Sequence, residues 1–144
     1  MNVIILRGLP GCGKSTFTKT LDKPFICSAD DFFMVNGVYV FDPSRIGDAH
    51  ANCFYRYIMA LHERYQNPIV VDNTNCTAVE IAPYALAASA FGVADLKVIT
   101  IDTPMDVCLK RNVHGVPSKV LVSMADEMKQ PLPPWWTQRV IQGS

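Results

Sequence analysis

An apolar run near the start of the chain passes directly into a glycine-rich loop, and this junction constrains the fold more than any other feature. The run is "NVIIL" (2–6), and "RGLPGCGKST" (7–16) follows it. Continuous β-branched runs are typical of strands buried on both faces of a parallel sheet. The residues "KSTFTKTL" carry no helix breaker before Pro24 and predict a helix. The segment therefore predicts a strand–loop–helix unit of an α/β protein.

The rest of the chain repeats this alternation. Further strands are predicted at "PFICSA", "PIVVD" and "LKVITID", and helices at about 45–65, 77–91, 104–110 and 118–128. Pro83 is expected to bend or split the second of these helices. Asn36-Gly37, between two apolar arms, predicts a β-hairpin. We therefore expect a three-layer fold, with a mostly parallel sheet of about four to five strands and helices on both faces.

The proline-rich tail, residues 130–144, is too rich in proline for a helix. It is expected to lie extended over the surface or to add a short edge strand. The adjacent Trp135 and Trp136 are expected to pin it onto the core rather than to stack on a base.

Composition indicates one domain over residues 1–144, and it disfavours a protein that grips long duplexes. The chain is 49% hydrophobic, and 13 basic residues balance 13 acidic ones. A neutral surface leaves a strand end or a small substrate possible. The five cysteines match no zinc framework, no signal peptide is recognised and no apolar run is long enough to span a bilayer. We expect a cytoplasmic protein, in the host cytoplasm if the chain is phage-encoded, with no membrane contact and no obligatory protein partner.

Residues 8–15, here called the phosphate loop, fit G-x-x-x-x-G-K-[ST] at every fixed position. Glycines let backbone N–H groups turn inward around an anion, and the following helix adds the positive end of its dipole. Lys14 is expected to reach the β- and γ-phosphates, and the Ser15 hydroxyl to bind Mg²⁺. The alternative is a turn that only connects a strand to a helix. The predicted nucleotide-binding residues are Gly8, Pro10, Gly11, Cys12, Gly13, Lys14 and Ser15.

Carboxylates follow the second and third strands, at the sheet edge where ligands bind in such folds. Asp30, in "CSADDFF", is predicted to face the γ-phosphate and to take the proton of an acceptor hydroxyl. Asp31 is expected to cap or support the next segment, although both could be solvated loop aspartates. Asp72, which ends "PIVVD", is predicted to hold magnesium or its water shell. Alternatively, "DNTN" caps the following helix through Asx-type bonds.

The ordered set "ILRGLPGCGKST", "ADDFF", "DNTN" and "DTPMDVCLKRN…GVP" resembles the bacteriophage polynucleotide 5′-hydroxyl kinase domain. It equally resembles the related small zeta-toxin- and polynucleotide-kinase-like AAA domains. The resemblance covers roughly residues 2–128, and it implies a four-stranded parallel sheet, a cleft or tunnel for the acceptor, and transfer from ATP with Mg²⁺.

Carried over to this sequence, the resemblance implies a donor site at Lys14, Ser15 and Thr16, with Asp30 as the acceptor base. The phage kinase pattern has an aspartate close to this point, and the resemblance implies that either Asp72 or Asn73 corresponds to it. It also makes Arg111 a residue of a lid at about 110–119 that neutralises charge on the transferring phosphoryl group. The alternative for Arg111 is a helix C-terminal arginine that offsets the dipole.

Two departures from that pattern bear on the acceptor. The phage kinases place an arginine soon after the aspartate pair, where this chain has Phe33, and His114 stands where a second lid arginine is expected. Aromatic side chains there could stack on a base or sugar.

The predicted function is phosphoryl transfer from ATP to a hydroxyl of a nucleic-acid acceptor, either a 5′ end or a hydroxymethyl pyrimidine of phage-type DNA. A nucleoside or small-molecule kinase, or a nucleotide-binding module without transfer activity, is the alternative.

Overall fold

The computed structural model describes residues 1–112 and 115–143, and it consists of strands that alternate with helices. The strands are β1 (Asn2–Arg7), β2 (Phe25–Cys27), β3 (Met34–Val35), β4 (Val38–Tyr39), β5 (Ile69–Asp72), β6 (Asp95–Asp102) and β7 (Gln138–Gln142). The helices are α1 (Lys14–Thr18), α2 (Ile46–His62), α3 (Ala78–Ala90), α4 (Met105–Lys110) and α5 (Ser118–Glu127). Short 3₁₀ turns occupy Ala29–Phe33 and Pro43–Arg45.

Five strands form one parallel sheet in the order β2-β5-β1-β6-β7. The central strand β1 pairs with β5 on one side and with β6 on the other, so that Val3 lies opposite both Ile69 and Leu96. β3 and β4 form a separate antiparallel hairpin. The predicted fold class is therefore confirmed, with a fifth strand beyond the four that the resemblance implied.

The sheet is covered on both faces because alternate side chains of its strands point in opposite directions. Val3 and Ile5 belong to a core cluster that also contains residues of α2 and α3. Ile4 and Leu6 belong to a second cluster with residues of α4 and α5. Two apolar layers thus enclose β1 and fix the position of the phosphate loop at its carboxyl end. Within the described residues, no helix is both long and apolar enough to cross a membrane.

Two helix predictions were wrong in part. Pro83 does not split α3, because it lies on the exposed face of the helix, where solvent can reach the carbonyl that lacks an N–H partner. α1 ends at Thr18 rather than near residue 21, and the Thr18 hydroxyl donates a hydrogen bond to the Ser15 carbonyl at 2.8 Å.

The predicted edge strand in the tail is present as β7, which pairs in parallel with β6. Trp136 packs against the core, whereas Trp135 is 80% exposed, so one tryptophan of the pair pins the tail.

Candidate active site

The phosphate loop joins β1 to α1 and uses glycine where other residues would be strained. Gly11 and Gly13 have φ of 79° and 105°, in the region that residues with a Cβ avoid. A Cβ on Gly11 would lie 2.9 Å from the Cys108 carbonyl oxygen and 3.1 Å from the Arg111 Cβ. The end of α4 therefore packs directly on the loop.

Hydrogen bonds from neighbouring segments fix the base of the loop. The Gly8 N–H donates to the Thr74 carbonyl at 3.0 Å, and the Thr103 hydroxyl donates to the Cys12 carbonyl at 2.6 Å. Burial raises the pKa of the Cys12 thiol, although nearby Lys14 lowers it in part. Cys12 is therefore a neutral packing residue of the loop rather than a nucleophile.

The three donor-site residues after Gly13 lie at the start of α1. The Lys14 ammonium donates to the Gly8 carbonyl at 2.8 Å and to the Leu9 carbonyl at 3.2 Å, which holds its charge over the loop. Ser15 and Thr16 are exposed. Their hydroxyls are thus accessible to a ligand bound at the amino end of the helix.

The structure brings the predicted carboxylates to the same edge of the sheet as Lys14. Asp72 is half-buried at the end of β5, and burial raises the pKa of its carboxyl. Lys14 lowers that pKa, whereas the negative charges of Asp30 and Asp31 raise it further. The four charged groups therefore act on one another across the carboxyl ends of β2, β5 and β1.

The acidic residues do not form a metal site by themselves. Among the residues that the structure describes, no group of three or more His, Cys, Asp or Glu side chains could hold an ion. Ser15, at the start of α1, and Asp72, at the end of β5, would offer Mg²⁺ two oxygen ligands. Mg²⁺ in nucleotide sites takes its other ligands from phosphates and water, so this donor set fits the ion.

Asn73 has a structural role that separates it from Asp72. Its side-chain oxygen accepts a hydrogen bond from the Ala29 N–H at 2.9 Å, and its amide group contacts the Cys53 sulfur at 3.5 Å. These bonds fasten the segment that carries Asp30 to the end of β5. The helix cap is Thr77, through a capping box with Glu80, so the interpretation of "DNTN" as the cap of α3 was wrong.

Asp30 and Asp31 lie in the 3₁₀ turn after β2, where the Ser28 hydroxyl accepts a hydrogen bond from the Asp30 N–H at 3.3 Å. Asp31 forms an ion pair with Arg56 at 3.3 Å and so supports the turn. Burial raises the pKa of the Tyr39 phenol, and the charge of Asp30 and a hydrogen bond between the Tyr39 and Asp30 side chains raise it further. The carboxyl of Asp30 is thereby joined to the β3–β4 hairpin.

Phe33 does not line the cleft as the sequence comparison with the phage pattern had indicated. It is 5% exposed and packs edge-on against Phe32, Tyr39 and Phe41. Of these rings, Phe41 is the most exposed, at 51%. An aromatic contact with an acceptor would therefore use Phe41 and not Phe33.

Arg111 is the C-cap residue of α4 and lies beside Gly11. The predicted lid starts here, and Asn112 joins the two sides of its turn, since its side chain donates to the Val116 carbonyl and accepts from the Val116 N–H. His114 lies outside the described residues. From this position Arg111 could contact a phosphoryl group above the loop. The same position also agrees with the alternative, in which the arginine offsets the helix dipole at the end of α4.

Sequence reasoning missed Arg7, the last residue of β1. Arg7 is 6% exposed, and its guanidinium donates to the carbonyls of Asn75 at 3.0 Å, Cys76 at 2.6 Å and Met128 at 3.0 Å. It thus joins the base of the phosphate loop to the loop after β5 and to the end of α5. The available signal was a charged residue at the end of a buried run.

The chain is similar to a known protein family, to a human protein and to several solved structures. Residues 3–131 match a family model described as an AAA domain. Human NEDD4-binding protein 2 is 36% identical over 137 residues, and the match covers 89% of this chain and 8% of that protein. The chain therefore spans less than a tenth of the length of this relative.

Solved structures resemble the chain across most of its length. A chain of the Pnkp1/Rnl/Hen1 RNA repair complex aligns with a TM-score of 0.70 and 22% identity, over 89% of this chain and 44% of that one. A gluconokinase from Sinorhizobium meliloti 1021 aligns with a TM-score of 0.61 and 15% identity, over 99% and 83% of the two chains. At these identities the similarities support the fold, and they do not identify a substrate.

Proposed function

Because the chain belongs to the AAA domain family whose model it matches, and has the fold of P-loop kinases, we propose that it is an ATP-dependent kinase. In this proposal, Mg²⁺-bound ATP gives its γ-phosphoryl group to a hydroxyl of a nucleic-acid acceptor, with a 5′-hydroxyl end as the first candidate and a hydroxymethyl pyrimidine base as the second. The single observation that carries it is the meeting of Lys14, Asp72 and Asp30 at one edge of the sheet.

Each residue has a part that follows from its position. The amides of the phosphate loop and the Lys14 ammonium hold the β- and γ-phosphates. Ser15 and Asp72 would hold Mg²⁺, which would neutralise charge on the phosphates. Asp30 accepts the proton of the incoming hydroxyl, and Arg111, beside Gly11, stabilises charge on the equatorial oxygens.

Two similarities bear on the class of the acceptor. The ordered motifs resemble phage polynucleotide kinases, and one structural neighbour is part of an RNA repair complex. A gluconokinase is also a neighbour, which supports a small-molecule kinase as the second candidate. We further propose a reducing, cytoplasmic compartment, because all five cysteines are free and buried.

Incubation with γ-labelled ATP and a panel of acceptors tests the proposal. The panel contains 5′-hydroxyl DNA, 5′-hydroxyl RNA, hydroxymethyl-base DNA, free nucleosides and gluconate. We expect label on a nucleic-acid hydroxyl. Label on a nucleoside or on gluconate alone would support the small-molecule alternative, and ATP binding without any labelled acceptor would indicate a module without transfer activity.

Two variants separate donor binding from transfer. Lys14→Ala should weaken ATP binding and transfer together, because it removes the cation that holds the phosphates. Asp30→Asn should leave the Kd for ATP within about twofold and lower transfer by roughly 10²- to 10⁴-fold, the range for loss of a general base. Near-normal transfer by Asp30→Asn would show that another group takes the proton.

A further inference from the structure

The β3–β4 hairpin and the residues after it expose more apolar surface than a solvated hairpin requires. Five apolar residues of this segment are each between 47% and 61% exposed: Met34, Val35, Val38, Val40 and Phe41. Contiguous exposed apolar residues commonly mark a binding surface. The hairpin follows directly after the turn that carries Asp30, so this surface lies beside the proposed transfer site.

Two rings of this segment are arranged as a platform. Tyr39 and Phe41 lie nearly parallel, with 6° between their planes and 6.3 Å between their centroids. The buried ring of Phe33 meets both edge-on, at 6.1 Å and 5.1 Å, and fixes their orientation. The Tyr39 side chain also forms a hydrogen bond with Asp30, which fixes the proposed base relative to the two rings.

A cation lies next to the same turn. The Arg45 guanidinium carbon lies 4.6 Å from the centroid of the Phe32 ring, and Phe32 is two residues from Asp30. Arg45 also pairs with Asp48 at 3.1 Å, and both side chains are more than half exposed. Exposed pairs of this kind are weak, so a phosphate can compete for the guanidinium. Arg45 thus places a cation close to the turn that carries Asp30, although Phe33 stands where the phage kinases have an arginine.

We propose that the hairpin is the acceptor subsite and that it takes the terminal nucleotide of a single-stranded nucleic acid. The exposed face of Phe41, backed by Tyr39, stacks on the terminal base, Arg45 contacts the neighbouring backbone phosphate, and Asp30 receives the hydroxyl proton. A flat apolar surface, a cation and a carboxylate match the base, phosphate and hydroxyl of one nucleotide, whereas a linear polyol such as gluconate has no aromatic face to stack on the rings. This inference rests on the proposed function and names its substrate class.

The test compares two 5′-hydroxyl oligonucleotides of one sequence, in DNA and in RNA form, that differ only in an intact or an abasic terminal nucleotide. Base–aromatic stacking is worth about 1–3 kcal/mol per base, or roughly 5- to 150-fold. The wild-type protein should therefore prefer the intact end at least about fivefold in kcat/KM. Phe41→Ala should lose this preference, with the KM for ATP unchanged, and Phe41→Trp should keep it.

Leu86→Ala is the matched control, because Leu86 is 73% exposed in the second half of α3, which runs away from the cleft. It should retain both the preference and the rate. Arg45→Gln should weaken binding of both oligonucleotides equally and reduce the salt slope of log K by about one phosphate contact. A readout without turnover is the fluorescence of 2-aminopurine at the 5′ end, which stacking on Phe41 should quench in the wild type and not in Phe41→Ala.

The outcomes distinguish this inference from the function on which it rests. If oligonucleotides are phosphorylated but the wild type shows no preference for an intact terminal base, the subsite is wrong and the kinase proposal stands. An equal loss on both oligonucleotides in Phe41→Ala, with unchanged quenching, would likewise overturn it. If only gluconate or free nucleosides receive label, the nucleic-acid acceptor and the subsite fall together.

Discussion

Replacing Arg7 with methionine should destabilise the protein more than any surface substitution, because three carbonyls would lose a charged donor. Two of its three hydrogen bonds, to Asn75 and Cys76, are buried, and the third, to Met128, is half-buried. Hydrogen bonds to charged groups contribute about 1.5–3 kcal/mol each. Burial lowers the pKa of the guanidinium, which shows that the native environment opposes its charge.

Removal of that buried charge offsets part of the loss, so we expect a net decrease of about 3 kcal/mol in the free energy of unfolding. Arg7→Lys should lose roughly half as much, because an ammonium cannot span all three acceptors.

Urea unfolding followed by circular dichroism measures both values from the shift in midpoint at constant slope. Arg139→Met is the control, since Arg139 is exposed on β7 and its loss should change stability by less than about 0.5 kcal/mol. A decrease below about 1 kcal/mol for Arg7→Met would show that the three contacts do not hold the loop.

Three further substitutions test other parts of the structure. Gly11→Ala should cost at least about 2 kcal/mol in urea unfolding, from the positive φ and from contact with the end of α4, whereas Gly47→Ala, in open space near the start of α2, should be neutral or slightly stabilising. Equal effects of the two would contradict the packing of α4 on the loop. Tyr57→Phe should cost about 1 kcal/mol, because the buried hydroxyl donates to the Tyr84 carbonyl at 2.8 Å, and an unchanged midpoint would argue against that bond. Asp72→Asn should stabilise the nucleotide-free protein at pH 7 while lowering transfer. Burial raises the carboxyl pKa, so native stability falls as pH rises from about 4 through the raised value, and the advantage of the variant should vanish below about pH 4. A pH-independent difference would contradict this.

Local patterns predicted most of the fold. Three features could be predicted because backbone geometry depends on nearby residues. They are the glycine loop after a buried run, the Asn36-Gly37 turn and the alternation of strands and helices. The exact end of α1 and the continuity of α3 through Pro83 depend on tertiary packing and solvent exposure, which spacing does not encode.

The sequence predicted the site residues that stand at the carboxyl ends of strands. It did not predict those whose position depends on tertiary packing. Asp30 and Asp72 meet Lys14 because the carboxyl ends of parallel strands converge. The burial of Phe33 was not visible, since its neighbours Tyr39 and Phe41 return to it only through the hairpin.

The most direct test of the central claim is a crystal structure with a non-hydrolysable ATP analogue, Mg²⁺ and a short 5′-hydroxyl oligonucleotide. We expect the γ-phosphate above the phosphate loop and the acceptor hydroxyl about 2.6–3.2 Å from a carboxylate oxygen of Asp30, directed at the γ-phosphorus. An Asp30 carboxylate turned away from the terminal phosphate, with no space beside it for a hydroxyl, would contradict the account of transfer and leave only nucleotide binding.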